Sequence, residues 1–190
     1  MAAMSLSAAS RFFSLLALVA LAGAVGIVVA RFTRAGREVL AHLGAASRWL
    51  AFAVAGTAMV GSLVFSEHFG LEPCRMCWYQ RIAMYSLAII LLVAAIRRDR
   101  GVRPYAIALA GVGLVISIYH SLLEWYPQLE TSACDVRVPC STPYFREFGF
   151  VTLAFMAGCG FLAVLALMLF TVEEDETDGT PQQVDVVEDP

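Results

Sequence analysis

Five apolar runs, each about the length of a helix that crosses a bilayer, constrain this chain more than any other feature. They cover roughly residues 12–30, 49–66, 78–96, 104–124 and 148–170, and a spanning helix needs ~20 residues. Lipid offers the backbone no hydrogen-bond partner, so each run must satisfy its own N–H and C=O groups as a helix. The expected fold class is therefore an all-α membrane protein. With 59% hydrophobic and 15% charged residues and a mean hydropathy of +0.73, a soluble domain with a wetted surface is excluded.

Arginine placement orients the helices. The connection over 31–48 holds Arg31, Arg34, Arg37 and Arg48, and "RRDRGVR" over 97–103 holds four more, so both are expected to face the cytoplasm. The connections over about 67–77 and 125–147 then face outward. The first run resembles a signal peptide in having Arg11 before it and small residues at its end. Cleavage would leave the Arg-rich stretch outside, so a retained helix with an outer N-terminus is expected.

The net charge of −3 conceals an asymmetry, because eight of the sixteen acids lie in the final "EEDETDGTPQQVDVVEDP". The segment over 172–190 is expected to be a disordered cytoplasmic tail. The remaining body sets thirteen arginines, and no lysine, against eight acids. These arginines flank membrane spans and form no stripe with aromatic residues, so no nucleic-acid partner is expected.

Of five cysteines, Cys74 and Cys77 form one close pair and Cys134 and Cys140 another, while Cys159 lies inside an apolar run as a packing residue. Each outward connection carries one pair, on the oxidising side where disulfides persist. In "EPCRMCWYQR" Pro73 precedes the first thiol and Trp78 and Tyr79 follow the second, which fits a helix start at a membrane surface. Free N–H groups at a helix N-terminus favour a thiolate. Arg81, four residues after Cys77, shares its helix face one turn deeper and adds a permanent cation.

Plainer readings stand beside these. The two pairs together have the makings of a four-thiolate zinc site, although a neighbouring cation opposes that centre's negative charge. Arg81 has the option of merely snorkelling to the interface. "CDVRVPC" forms a loop able to bring Cys134 and Cys140 within bonding distance, as a relay or as a static staple. His120, in "IYHSLLEWYP", is either a hydrogen-bonded packing residue or, as an ionisable group at membrane depth, a functional one. Glu67 and His68 are placed similarly. Ala53, Thr57 and Gly61 put small residues on one face of the second run, suited to helix packing within a bundle or between copies.

At these residues the sequence resembles the DsbB family of membrane disulfide bond formation proteins, including its BdbC branch. "CRMCWYQRIAMY", "YHSLLEWYP", "ACDVRVPC" and "FREFGFVTL" match its motifs in order along residues 49–170. The five residues between Cys134 and Cys140 resemble the short-loop BdbC branch. Ser86 stands where many members have proline, "FGFVTLAF" lacks a common proline, and the span over 12–30 is additional to a four-helix core. The vitamin K epoxide reductase-like family carries its quinone-proximal C-x2-C after the loop cysteines, the reverse of the order here.

The resemblance implies a four-helix core over 49–171, preceded by an extra N-terminal helix and Arg-rich connection over 1–48. It implies a thiol:quinone oxidoreductase of the cytoplasmic (inner) cell membrane. A reduced extracytoplasmic thioredoxin-fold oxidase, DsbA- or BdbD-like, would attack Cys134 of the Cys134/Cys140 disulfide. Cys74 and Cys77 would then pass the electrons to a membrane quinone, ubiquinone or menaquinone, with Cys77 as the thiolate and Arg81 and His120 contacting the quinone; no metal is expected. The alternative is a membrane metal-binding or structural protein whose outer cysteines hold zinc or static disulfides.

Overall fold

A computed structural model describes residues 5–44, 46–130, 134 and 137–171. The expected acidic tail lies outside the described residues. Among the described residues six α-helices carry the fold: α1 (Leu6–Ala30), α2 (Arg34–Gly44), α3 (Ser47–Leu63), α4 (Arg75–Arg97), α5 (Arg103–Trp125) and α6 (Leu153–Phe170). All but α2 are long and apolar enough to cross a membrane, α3 counting the single π turn (Val64–His68) that continues it.

Local chemistry sets the helix limits. Ser5 caps α1 by accepting from the Ala8 N–H, and Thr152 caps α6 by accepting from Phe155. Proline stands at the start of α5, where a missing N–H does no harm. At the far end Arg103 donates to the carbonyls of Met168 and Leu169, placing a cation on the negative end of α6.

Two elements differ from the sequence expectation. The last apolar run begins near 148, but α6 starts at Leu153 because Glu147 and Val151 exchange backbone hydrogen bonds of 2.9 Å around a tight turn. Phe148 and Gly149 take positive φ there (54° and 82°), which a helix does not accommodate. The Arg-rich connection contains a helix of its own, α2, in which Leu40 is buried and the arginines point outward.

Helices α3, α4, α5 and α6 form a closed ring in which each packs on the next and α6 returns to α3. Leu87 and Leu91 of α4, Ala106 and Ala110 of α5, and Phe161 and Val164 of α6 fill its centre. Alanine at these positions lets the backbones approach closely. Gly113 does so most sharply, since a Cβ there would lie 2.2 Å from the Phe161 ring. Helix α1 packs outside the ring, chiefly on α6. Ser10 and Arg11 reach Glu147 at 2.6 and 3.6 Å, and Ser14 reaches the Met156 sulfur at 3.6 Å.

The segments carrying the two cysteine pairs meet at one end of the bundle, where the Tyr144 hydroxyl donates to the Glu72 carbonyl at 2.6 Å. The start of α1, held by Glu147, lies at that same end. The connections around 31–48 and 97–103 lie at the other, as alternating helix directions require.

Candidate active site

Cys74 is the N-cap of α4, with extended backbone angles (φ −66°, ψ 170°). Its sulfur accepts the Cys77 backbone N–H at 3.3 Å, so a helix-start donor is aimed at a thiolate. The two sulfurs lie 2.7 Å apart, and His120 Nε2 stands 3.6 Å from that of Cys74. The hydrogen bond from the Cys77 thiol chiefly holds Cys74 far below the ordinary thiol value, at about 5. Burial opposes this, and His120 adds to it through a hydrogen bond and its charge.

Cys134 and Cys140 are joined as a disulfide, with alpha carbons 5.9 Å apart. Cys140 is buried and Cys134 half-buried. Glu130 holds the loop from below, accepting the Cys140 N–H at 2.8 Å and the Ser141 hydroxyl with its other oxygen. Cys74, Met76, Leu123 and Cys140 form one buried cluster, against which Cys77 and Cys134 pack. The two cysteine pairs thus share one site.

Two cavities meet there. The smaller, about 230 Å³, is lined by Cys74, His120, Glu124 and Cys140 among others. The larger, about 540 Å³, is mainly apolar and takes in Arg81, Gln80 and Tyr85. Cys77 lines both, as do Tyr144 and Leu153. Arg81 donates from Nη2 to the Ser62 carbonyl at 3.0 Å and lies over the Trp78 ring at 5.4 Å.

Arg81 and Cys77 therefore share a cavity, as their spacing leads one to expect. His120 falls on the other side: it touches Cys74 and lines the smaller cavity, and it is absent from the lining of the one that Arg81 enters. Glu67 and His68 are exposed and line neither cavity. Cys159 is buried within α6. Ala53, Thr57 and Gly61 line the larger cavity.

Three residues escape the sequence reading. Tyr85, one turn beyond Arg81, lines the larger cavity and has a buried hydroxyl with no hydrogen-bond partner among the described residues. Glu124, one turn beyond His120, is buried and accepts the Thr152 hydroxyl at 2.6 Å. Its signal is an acid at i+4 from a histidine within an apolar run. Glu130, the loop's anchor, has no signal in the sequence.

Ligand atoms suited to a metal fall into two sets among the described residues, Cys74 with Cys77 and His120, and Glu130 with Cys134 and Cys140. No set combines the four thiols. The bonded sulfurs of Cys134 and Cys140 are in any case unable to serve as thiolate ligands.

Comparison with known proteins bears on the same residues. The family model described as disulfide bond formation protein DsbB matches residues 44–172. The chain is 41% identical over 119 residues to the probable disulfide formation protein C 2 of Bacillus anthracis, an alignment covering 63% of this chain and 85% of that one. It is 40% identical over 121 residues to the disulfide bond formation protein C of Bacillus subtilis, covering 63% and 88%. It is 42% identical over 120 residues to the probable disulfide formation protein C of Halalkalibacterium halodurans, covering 62% and 87%. No solved structure matches significantly. With five apolar helices long enough to span a bilayer and a family match over the whole four-helix ring and both cysteine pairs, this chain is a multi-pass membrane protein for disulfide bond formation and belongs to the DsbB family.

Proposed function

We propose that the protein is a thiol:quinone oxidoreductase, taking electrons from an extracytoplasmic thioredoxin-fold dithiol at Cys134/Cys140 and delivering them to a membrane quinone at Cys74/Cys77. One observation carries the reading: Cys77 stands between the cavity of the loop disulfide and the apolar cavity of Arg81. A carrier of electrons from a wet thiol to an apolar acceptor needs a sulfur that faces both.

The partner's thiolate attacks Cys134, the more accessible sulfur of the loop disulfide, and its second thiol resolves the mixed disulfide. The partner leaves oxidised, and Cys134 and Cys140 hold two electrons as a dithiol. The Cys140 thiolate then attacks Cys74 of a Cys74/Cys77 disulfide, forming a Cys74–Cys140 bond and releasing Cys77 as the thiolate beside Arg81. Cys134 attacks Cys140, restoring the loop disulfide and releasing Cys74 as a thiolate, which the Cys77 N–H and His120 stabilise. Each exchange breaks one S–S bond and makes another, so the electron pair moves inward without loss.

The residues of the larger cavity suit a quinone: apolar walls, the Arg81 cation and the unpartnered Tyr85 hydroxyl, able to donate to a ring oxygen. Cys77 and Cys74 take up the two protons that Cys140 and Cys134 lose, and a quinone held there by Arg81 and Tyr85 would supply the acceptor for that pair of electrons and protons as the Cys74/Cys77 disulfide re-forms. Arg81 stabilises negative charge on Cys77 and at the ring oxygen in a site of low dielectric. His120, against Cys74, is placed to hold a proton for that sulfur. The arginine pattern supports a cysteine end of the bundle outside the cytoplasmic membrane.

The test mixes purified protein with a reduced thioredoxin-fold dithiol and a soluble quinone and follows quinone absorbance. The expected result is turnover that Cys77→Ser abolishes; normal turnover by that variant sinks the mechanism. The Cys74, Cys77 and His120 set supports a second reading, a bound metal. Stoichiometric zinc in the purified protein, with no thiols newly alkylated when reduced partner is added, would favour it.

A further inference from the structure

Helix α1 lies outside the matched family region, which begins at residue 44, yet it builds one wall of the cavity that opens at Cys77. Phe13, Ala17, Ala20, Gly23, Ala24 and Ile27 line it from α1, and Ala53, Thr57 and Gly61 face them from α3. From Phe13 to Ile27 the wall runs ~21 Å at about 1.5 Å per residue, roughly two-thirds of the ~30 Å hydrocarbon thickness. Small side chains on both faces leave room between the helices. Phe13 holds them apart near the cysteine end: its ring sits 5.5 Å from that of Phe65 and so close over Gly61 that a Cβ there would lie 2.8 Å away.

The polarity is graded along this space. Cys77, Arg81 and the unpartnered Tyr85 hydroxyl cluster toward its cysteine end, and beyond them the lining is almost wholly apolar. A ligand matching this gradient has a compact head with acceptor oxygens and a long hydrocarbon chain. Val19, which also lines the space, is 68% exposed, so the wall is open sideways to lipid and a long chain has a way out.

We propose that α1 is a chain-binding helix, which with α3 grips the polyprenyl tail of the quinone whose ring sits at Cys77 and Arg81. The assignment rests on the quinone reading above. It gives the protein a preference for long-chain over tail-less quinones, set in part by residues outside the four-helix ring.

Gly23 supplies the test, because a Cβ built there meets no atom within 4 Å. Gly23→Phe places a ring in the channel, and Ala20→Phe does so one turn away. Each variant is assayed with a long-chain polyprenyl quinone and with a tail-less benzoquinone, and quinone retained by the detergent-purified protein is extracted and counted. The expected result is a KM for the long-chain quinone raised about tenfold, as for loss of roughly two buried methylenes. The KM for the tail-less quinone stays within about twofold, and retained quinone falls. Equal changes for both quinones, or none for either, overturn the role of α1 while leaving quinone reduction intact. A phospholipid chain retained in place of quinone overturns it too. If the unsubstituted protein reduces neither quinone, the parent reading falls as well.

Discussion

At the scale of single residues, Cys74 rather than Cys77 has the better surroundings for a negative charge. Sequence spacing alone favours Cys77, since Arg81 is four residues away on the same face; it does not reveal that Cys74 is the N-cap, nor that His120 from another helix comes within 3.6 Å. The expected consequence is measurable. The thiolate is the charged form, so donors and cations lower its pKa, and their removal raises it. In reduced Cys77→Ser protein, whose hydroxyl keeps a donor beside Cys74, thiolate absorbance should rise well below the ordinary thiol value of about 8.5. Adding His120→Phe should move the inflection upward. An inflection unmoved by the histidine change would remove His120 from the site's electrostatics. Tyr85 shows the same limit from the other direction: its position one turn past Arg81 is legible in the sequence, but that its hydroxyl is buried without a partner emerges only from packing.

At the scale of helices, the spanning segments were legible because lipid enforces both length and composition. Their ends were less so. The start of α6 is set by a turn at Phe148 and Gly149 within a stretch as apolar as the helix itself, and α2 hides among arginines that read as a charged connection. The close meeting of α5 and α6 was also invisible, because nothing in "AGVGLVIS" says which glycine faces an aromatic ring. Gly113→Ala tests this contact. Its methyl would collide with Phe161, and overpacking of this kind costs about 1–3 kcal/mol. Thermal unfolding in detergent should show that loss for Gly113→Ala, and Gly113→Ala with Phe161→Leu should recover part of it. An added loss from the second substitution would mean that the ring is not what the methyl meets.

At the scale of the whole molecule, the two cavities and the arginine-rich end divide the protein along the membrane normal. The loop disulfide and the Cys74 cavity lie at one end, the apolar cavity runs inward from Cys77, and the connections around 31–48 and 97–103 close the other end. Only one orientation serves the proposed chemistry, because an extracytoplasmic partner reaches the cysteines only at the end that carries them; at the other end it would meet arginines and no described cysteine. The arginine bias would favour that orientation during insertion. In intact cells treated with reductant, a membrane-impermeant maleimide should label Cys134, the more accessible loop thiol, and Cys134→Ser should abolish most of the signal. In a Cys134→Ser background, a cysteine introduced by Arg37→Cys should remain unlabelled until the membrane is opened, since Arg37 is exposed on α2 at the opposite end. Labelling of the Arg37→Cys position in sealed cells would invert the topology. Both cysteine pairs would then face the reducing compartment, where the loop disulfide would not persist.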